Sequence, residues 1–369
     1  MKKSILLLSS VLLLASCGGT STNPSDYVEE PKNAKTISGK EAAQHAKKLG
    51  TSLSSQKAVG LELTGFYEMS GSFTTVENKE LGLSNKEYKS SASIKDLKVN
   101  AAYAATDTAV TASASGSAKV VADVNAIRGQ YNQETGEVKF VDSSAKLDAG
   151  FDAKAFLDQG DVYYDLTGVK DGVHKTVDFV KALTGEDDIK GPEDDYFVKA
   201  KTTLPLAITA SLASLPAMAG SYVTQYSDYL SQIDVMASTS VQGIDLSKFI
   251  ETKEYGDGTY GIVAHADVKD VLPLVASTAG IPAQVQKALE SVTGSAKVVL
   301  DFNESEIKSL GVSLEAGIAD LDIAAIAGED ADELPVSKAS VSLKAGFKVT
   351  FAYGSNVKVA SVDNPESYK

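Results

Sequence analysis

Ala339-Ser-Val-Ser-Leu-Lys-Ala-Gly-Phe-Lys-Val-Thr-Phe-Ala-Tyr353 is the stretch that decides the fold. Its odd positions are Ala339, Val341, Leu343, Ala345, Phe347, Val349, Phe351 and Tyr353, and the even ones are small or polar. A period of two puts the apolar row on one face of a β-strand and the polar row on the other, and about fifteen residues at ~3.3 Å each give a strand near 50 Å long. Ordinary strands have about five or six residues. The same alternation holds in Ala145, Leu147, Ala149, Phe151, Ala153 and Ala155, and again in Val59, Leu61, Leu63 and Tyr67. Long antiparallel strands with one buried and one wet face are expected.

Working outward to the N-terminus, Lys2-Lys3 precedes an apolar run that ends in Leu14-Ala15-Ser16-Cys17-Gly18, and Cys17 is the only cysteine of the 369 residues. Ile5 to Ala15 is too short for a bilayer, which takes roughly 17–25 apolar residues. The pattern resembles the lipobox of bacterial lipoproteins. That resemblance implies a signal peptide over 1–17, lipidation at Cys17, and an extracytoplasmic protein anchored to a bacterial membrane. Two or more acyl chains, at about 0.8 kcal/mol per buried methylene, hold such an anchor stably. Residues 18–36 are rich in Ser, Thr, Asn, Gly and Pro and are expected to form a flexible tether spanning roughly 25 Å. Residues 37–369 then form a single large β-rich domain.

Helices interrupt the strands. Ser38 with Glu41 makes a capping box, followed by Ala42, His45, Ala46 and Leu49 at helical spacing. His45 sits on that apolar stripe and reads as a packed histidine. Helical insertions are expected around 172–184, 205–236 and 267–292. In the second, Met218, Tyr222, Tyr226, Tyr229, Leu230 and Ile233 share one face, and a tyrosine row of this kind is more often half-buried packing than a docking surface. Tyr255-Gly-Asp-Gly-Thr-Tyr260 indicates a hairpin. Its match to G-x-G-x-x-G is discounted, because a strand rather than a helix follows at Ile262-Val-Ala-His265.

An internal echo runs through the sheet regions. Gly116-Ser-Ala-Lys-Val-Val-Ala-Asp-Val-Asn125 returns as Gly294-Ser-Ala-Lys-Val-Val-Leu-Asp-Phe-Asn303. Duplication into two related halves and convergence of Ala- and Val-rich strands both account for it.

Composition narrows the function classes. The chain carries 35 basic and 49 acidic residues, a net charge of −14. Such a body repels phosphate backbones, so a nucleic-acid partner is not expected. Arg128 is the single arginine, which leaves little bidentate recognition of phosphate or carboxylate. No serine-hydrolase elbow, zincin, C-x-x-C or P-loop motif occurs. His174 and His265 lack partners at metal-ligand spacing. The acidic runs Glu186–Asp195 and Glu329–Glu333 lack the order of a calcium loop and read as solvated surface. No enzyme activity, metal or cofactor is expected.

With its lipobox, tether, long amphipathic strands, Asp161-Val-Tyr-Tyr-Asp-Leu-Thr-Gly168 strand and mid-chain helices, the chain resembles lipoproteins of the LolA/LolB and LppX-like type. The run from Val349 to Lys358, read as a closing hairpin, adds to that likeness. The resemblance implies an α+β, β-rich fold: a strongly curved antiparallel half-barrel, with helices packed on its concave face and acyl chains held between them. Alanines in the inward rows leave volume there, and Leu147, Phe151, Leu300, Phe302, Leu343, Phe347 and Phe351 are the expected lining. The function expected is a membrane-anchored carrier of a hydrophobic, lipid-like ligand. A structural or interaction lipoprotein without such a ligand is the alternative.

Overall fold

The structure is a computed structural model that describes residues 22–31, 33–106, 109–132, 134–205, 208, 211–237, 240–241, 244–245, 248–271, 290–323 and 335–369. Cys17, most of the expected 267–292 helix and the run Glu329–Glu333 lie outside the described residues.

In chain order the elements are β1 (Lys35–Thr36), α1 (Gly39–Leu53), β2 (Ala58–Thr75), β3 (Glu87–Ala105), β4 (Val110–Tyr131), β5 (Val138–Asp158), β6 (Asp161–Asp165), α2 (Lys170–Thr184) and β7 (Lys199–Thr203). Then come α3 (Leu215–Leu230), α4 (Ile233–Ala237), the short pair β8 (Ser240–Val241) and β9 (Ile244–Asp245), β10 (Ile250–Glu254), β11 (Tyr260–Asp267), β12 (Val292–Phe302), β13 (Ile307–Asp322) and β14 (Val336–Tyr353). Twelve strands form one open antiparallel sheet in the order β1-β10-β11-β12-β13-β14-β2-β3-β4-β5-β6-β7. The expected alternation holds, and β4 reaches 22 residues, about 70 Å at ~3.3 Å per residue.

Register makes the two faces concrete. One row runs Ile262, Leu300, Leu310, Val349, Leu63, Val99, Gly116, Ala153 across eight strands. Another runs Ala266, Ala296, Leu314, Ala345, Tyr67, Ile94, Val120, Ala149. Both α1 and α2 pack on this face, which we call the helix face. The opposite face carries cross-strand ion pairs: Glu315 with Lys344 (3.3 Å), Glu62 with Lys98 (2.8 Å), Lys119 with Asp148 (3.0 Å) and Asp123 with Lys146 (2.6 Å).

The first helix, α1, forms where its cap predicts. Ser38 Oγ accepts the Glu41 amide (3.1 Å), and the Asp234 carboxylate accepts those of Gly39 and Lys40, so two segments cap α1 together. Such caps satisfy amides that a helix N-terminus leaves open. Arg128 donates to the Thr184 carbonyl at the end of α2 (2.8 Å), a fitting place for a cation. The chain crosses α3 over α1 at Gly50 and Gly220, where a Cβ on Gly220 would lie 2.3 Å from the Gly50 carbonyl oxygen. Only glycine allows that approach.

Three expectations are corrected. Residues 24–30, expected to belong to the tether, form a strap across the face opposite the helices. Tyr27 and Val28 are buried: Tyr27 packs on Phe66, and Val28 joins Val263 and Val299. A Cβ on Gly311 would lie 2.0 Å from the Tyr27 carbonyl oxygen, so this strand floor admits the strap only where a side chain is missing. The run Val349–Lys358 is not a hairpin. After Tyr353 the chain makes one 3-10 turn and then follows the strap face without a return strand, the Ala360 amide donating to Ser113 Oγ (3.0 Å). It finishes on the far edge, where Lys369 exchanges backbone hydrogen bonds with Lys199 and Lys201.

The echo, finally, does not repeat a structural unit. Val120 and Val298 both lie on the helix face, and each copy is followed by a hairpin to the same side, β5 or β13. Yet β4 and β12 stand five strands apart in an antiparallel sheet and therefore run in opposite directions. No rotation relates two such copies, so they are similar strands rather than two related halves.

Candidate functional site

The site with the greatest chemical definition is the helix face itself. It has two covered ends and an intervening floor. At one end Ala42, Ala46, Leu49 and Leu53 of α1 bury Phe302, Tyr260 and Tyr353, with Phe351, Val59, Ile262 and Ile307 against them. At the other, Phe179, Val180 and Leu183 of α2 pack on Ala122, Ala145, Leu147 and Ala149, with Phe151 alongside. Between them Leu300, Val298, Val312, Leu314, Leu343, Phe347, Leu63, Met69 and Val99 are only half-buried.

The seven residues read from the sequence as a lining are thus separated. Phe302 and Phe351 are core under α1, and Leu147 and Phe151 are core under α2. Leu300, Leu343 and Phe347 belong to the half-buried floor. None of the floor residues named is charged. The nearest hydroxyl in the same rows is Tyr67, whose titration burial pushes upward. Chemically the floor offers area and dispersion contact, at roughly 25 cal/mol per Å² of apolar surface covered.

Two cavities stand out among the described residues, and neither is on this floor. One, of about 340 Å³, lies on the strap face, lined by Glu30, Lys253, His265, Asp267 and Lys297 among others. The other, of about 530 Å³, is an open apolar hollow between Leu166, Val169, Pro192, Tyr196 and Phe197.

In the first, Glu30 from the strap bridges Lys253 and Lys297, both at 2.6 Å. Burial alone would raise the Glu30 carboxyl, but the two ammonium groups outweigh it and hold it below its usual range. On the same face Asp301 accepts from Ser309 Oγ (2.8 Å) beside the Tyr255 ring, and burial pushes its carboxyl above the usual range. The Tyr255 hydroxyl and Asp301 Oδ1 are buried without a well-formed hydrogen bond. This pair was not legible beforehand, because nothing local in the sequence distinguishes Asp301 from Asp123.

His45 stacks on Tyr260 with ring centroids 3.8 Å apart and hydrogen-bonds Glu304 (2.7 Å), so the packed reading of this histidine holds. The tyrosine row differs from its expectation. Tyr222, Tyr226 and Tyr229 are 54%, 57% and 59% exposed and stack on one another at 6.3 and 5.7 Å. The reason is layering. The small residues of α3 face α1, which turns the aromatic side outward. Seven of the twelve large exposed hydrophobic side chains among the described residues fall between Ile208 and Val235. Residues 202–227 contain no charge at all.

No family model and no curated protein matches the chain. Among solved structures it is similar to the crystal structure of a Pseudomonas aeruginosa FadL homologue, at 7% identity over 91% of this chain and 99% of that one, with a TM-score of 0.20. A likeness of that size carries no argument about fold or function.

Proposed function

We propose that the protein is a membrane-anchored extracytoplasmic lipoprotein, lipidated at Cys17, that holds a hydrophobic, lipid-like ligand against the helix face. The observation that carries this reading is the half-buried floor between α1 and α2, whose named residues include no charge. Curvature into a half-barrel, with α1 and α2 on the concave side, is part of the proposal. The register shifts at Asp301/Phe302, Gly65/Tyr67, Lys95/Lys98 and Ile318/Leu321 support it, since bulges bend a strand and increase its twist. The likeness to LolA/LolB and LppX-type lipoproteins points the same way. No cofactor and no catalytic group is part of the reading.

The test is native mass spectrometry of the gently purified protein, with organic extraction of whatever is bound. Wild type is expected to carry extractable lipid, and Phe347→Asp to carry several-fold less at unchanged folding. A wild type that is folded and lipid-free, and that takes up no added fatty acid or phospholipid, sinks the carrier.

The exposed tyrosine row favours a second reading, an interaction lipoprotein that docks another envelope component through α3. Cross-linking from Tyr226 in intact cells separates the two, because this reading expects one dominant partner and the carrier expects none.

A further inference from the structure

The strap and the layering of the helices together orient the molecule. We infer that the strap face lies against the phospholipid headgroup layer and that the tyrosine surface of α3 points away from the membrane. This rests on the proposed lipidation of Cys17.

The first described residue, Thr22, is five residue steps from Cys17, so the leash reaches at most about 18 Å at ~3.6 Å per residue. From Pro24 onward the chain is fastened: Tyr27 packs over Gly346 and Phe66 on the strap face. The tyrosine row is on the other side of the molecule. The sheet is followed by α1 on the helix face, and α3 crosses α1 at Gly50 and Gly220. Exposed Lys40, Gln44, Lys47, Lys48 and Thr51 occupy the side of α1 away from the sheet, and the Tyr103 hydroxyl of β3 donates to the Leu212 carbonyl just before α3 (3.0 Å), so α3 packs beside α1. With layers ~10 Å apart both helix axes lie about 10 Å from the sheet and their outer surface about 15 Å. A bilayer resting on the outer surface of the helices would be about 20 Å from the strap, beyond the leash even at full extension. End-on placement is no easier. Gly346 is seven residues from Tyr353 and ten from Val336, so the two strand ends lie about 23 and 33 Å from the strap. Face-on placement uses only a fraction of the available length.

The charge arrangement fits the same partner. The protein bears −14 in total, yet the strap face includes cross-strand ion pairs at Glu315–Lys344, Glu62–Lys98, Lys119–Asp148 and Asp123–Lys146. A surface of compensated ion pairs and serines can approach headgroups without the repulsion an unpaired acidic surface would meet. The helix face, with its floor, then opens to the aqueous side.

The experiment uses the full lipidated protein in phosphatidylcholine vesicles carrying an energy-transfer acceptor on the headgroups. Cys17 is the chain's single cysteine and its thiol is blocked by lipid, so an added cysteine is the only labelling site. Donor dye is placed at Ser70→Cys on the strap face or at Tyr226→Cys on α3, both exposed positions. Transfer from position 70 should exceed that from 226 several-fold. Equal transfer, or more from 226, overturns the orientation. Flotation separates the two readings: a wild type that floats no better than Cys17→Ser removes the anchor and the orientation with it, whereas flotation with reversed transfer overturns the orientation alone.

Discussion

Gly116–Asn125 and Gly294–Asn303 agree at eight of ten positions, yet their aspartates have opposite surroundings. Asp123 on β4 is open to solvent and pairs with Lys146, itself 80% exposed. Asp301 on β12 is closed in, bonded to Ser309, and burial raises its carboxyl. The strands present the same residues to the same face, so the difference comes from outside them. The strap and the Tyr255 ring lie over the β11-to-β2 part of the sheet, with Tyr27 and Val28 over Gly311, Gly346, Phe66, Val263 and Val299. The surroundings of this carboxylate come from outside the strand that carries it: the Tyr255 ring beside it, and a strap whose Glu30, more than 270 residues away in sequence, acts on it by charge.

The comparison can be pressed hardest at the last apolar position of each copy. Phe302 is 1% exposed beneath α1, whereas its counterpart Val124 is half-buried at the rim of the α2 cluster. Phe302→Ala should cost about 3–5 kcal/mol in urea unfolding, the range for an emptied aromatic site, and Val124→Ala about 1 kcal/mol. Equal losses would mean that the two strands are, after all, equivalent in the core. A second variant removes the cover. Gly311→Val forces the strap off its seat at a cost of about 1–3 kcal/mol. With solvent admitted, the Asp301 carboxyl should fall back toward the usual range in a carbon-13 titration. An unmoved titration would show that the strap is not what shields it.

The third prediction concerns pH. The folded protein holds the Asp301 proton more tightly than the unfolded chain does. That contribution to stability is complete below the ordinary carboxylate value of about 3.9 and is lost as pH rises through the raised folded value. At pH 7 the buried carboxylate therefore costs stability, and Asp301→Asn should raise it by about 1 kcal/mol and flatten its pH dependence. Asp123→Asn should do neither. The smallest effect belongs to Lys146→Ala, which breaks an exposed pair worth less than about 0.5 kcal/mol. A loss above 1 kcal/mol there would show that the strap-face ion pairs act as a network.

These contrasts also mark how far a sequence can be read. Strands such as Ala339–Tyr353 were legible because a period of two persisted far beyond chance, and α1 because its cap and stripe agreed. The turn at Asp257-Gly258 was legible from its dipeptide, and both flanking glycines do adopt positive φ. The strap was not. Tyr27 and Val28 are two apolar residues in a polar segment, with no period to announce burial, and the glycines that seat them are in other strands. The tyrosine row was read with the correct spacing and the wrong side outward, since helical periodicity identifies a face without saying what covers it. The floor was half legible. Alternation places Leu300, Leu343 and Phe347 on the helix face, but only tertiary packing shows that Phe302 and Leu147 are already filled in by helices.

The two edges of the sheet have a consequence for how copies of this protein can meet. At one edge Lys35 and Thr36 pair with Glu254 and Lys253, and the Ile37 amide donates to the Thr252 carbonyl. At the other, Lys369 occupies the outer side of β7. A sheet this long would otherwise offer two templates for runaway strand addition. With a two-residue strand closing one edge and Lys369 lying along the other, little open backbone is left for strand addition, and contacts between copies are expected face to face rather than edge to edge.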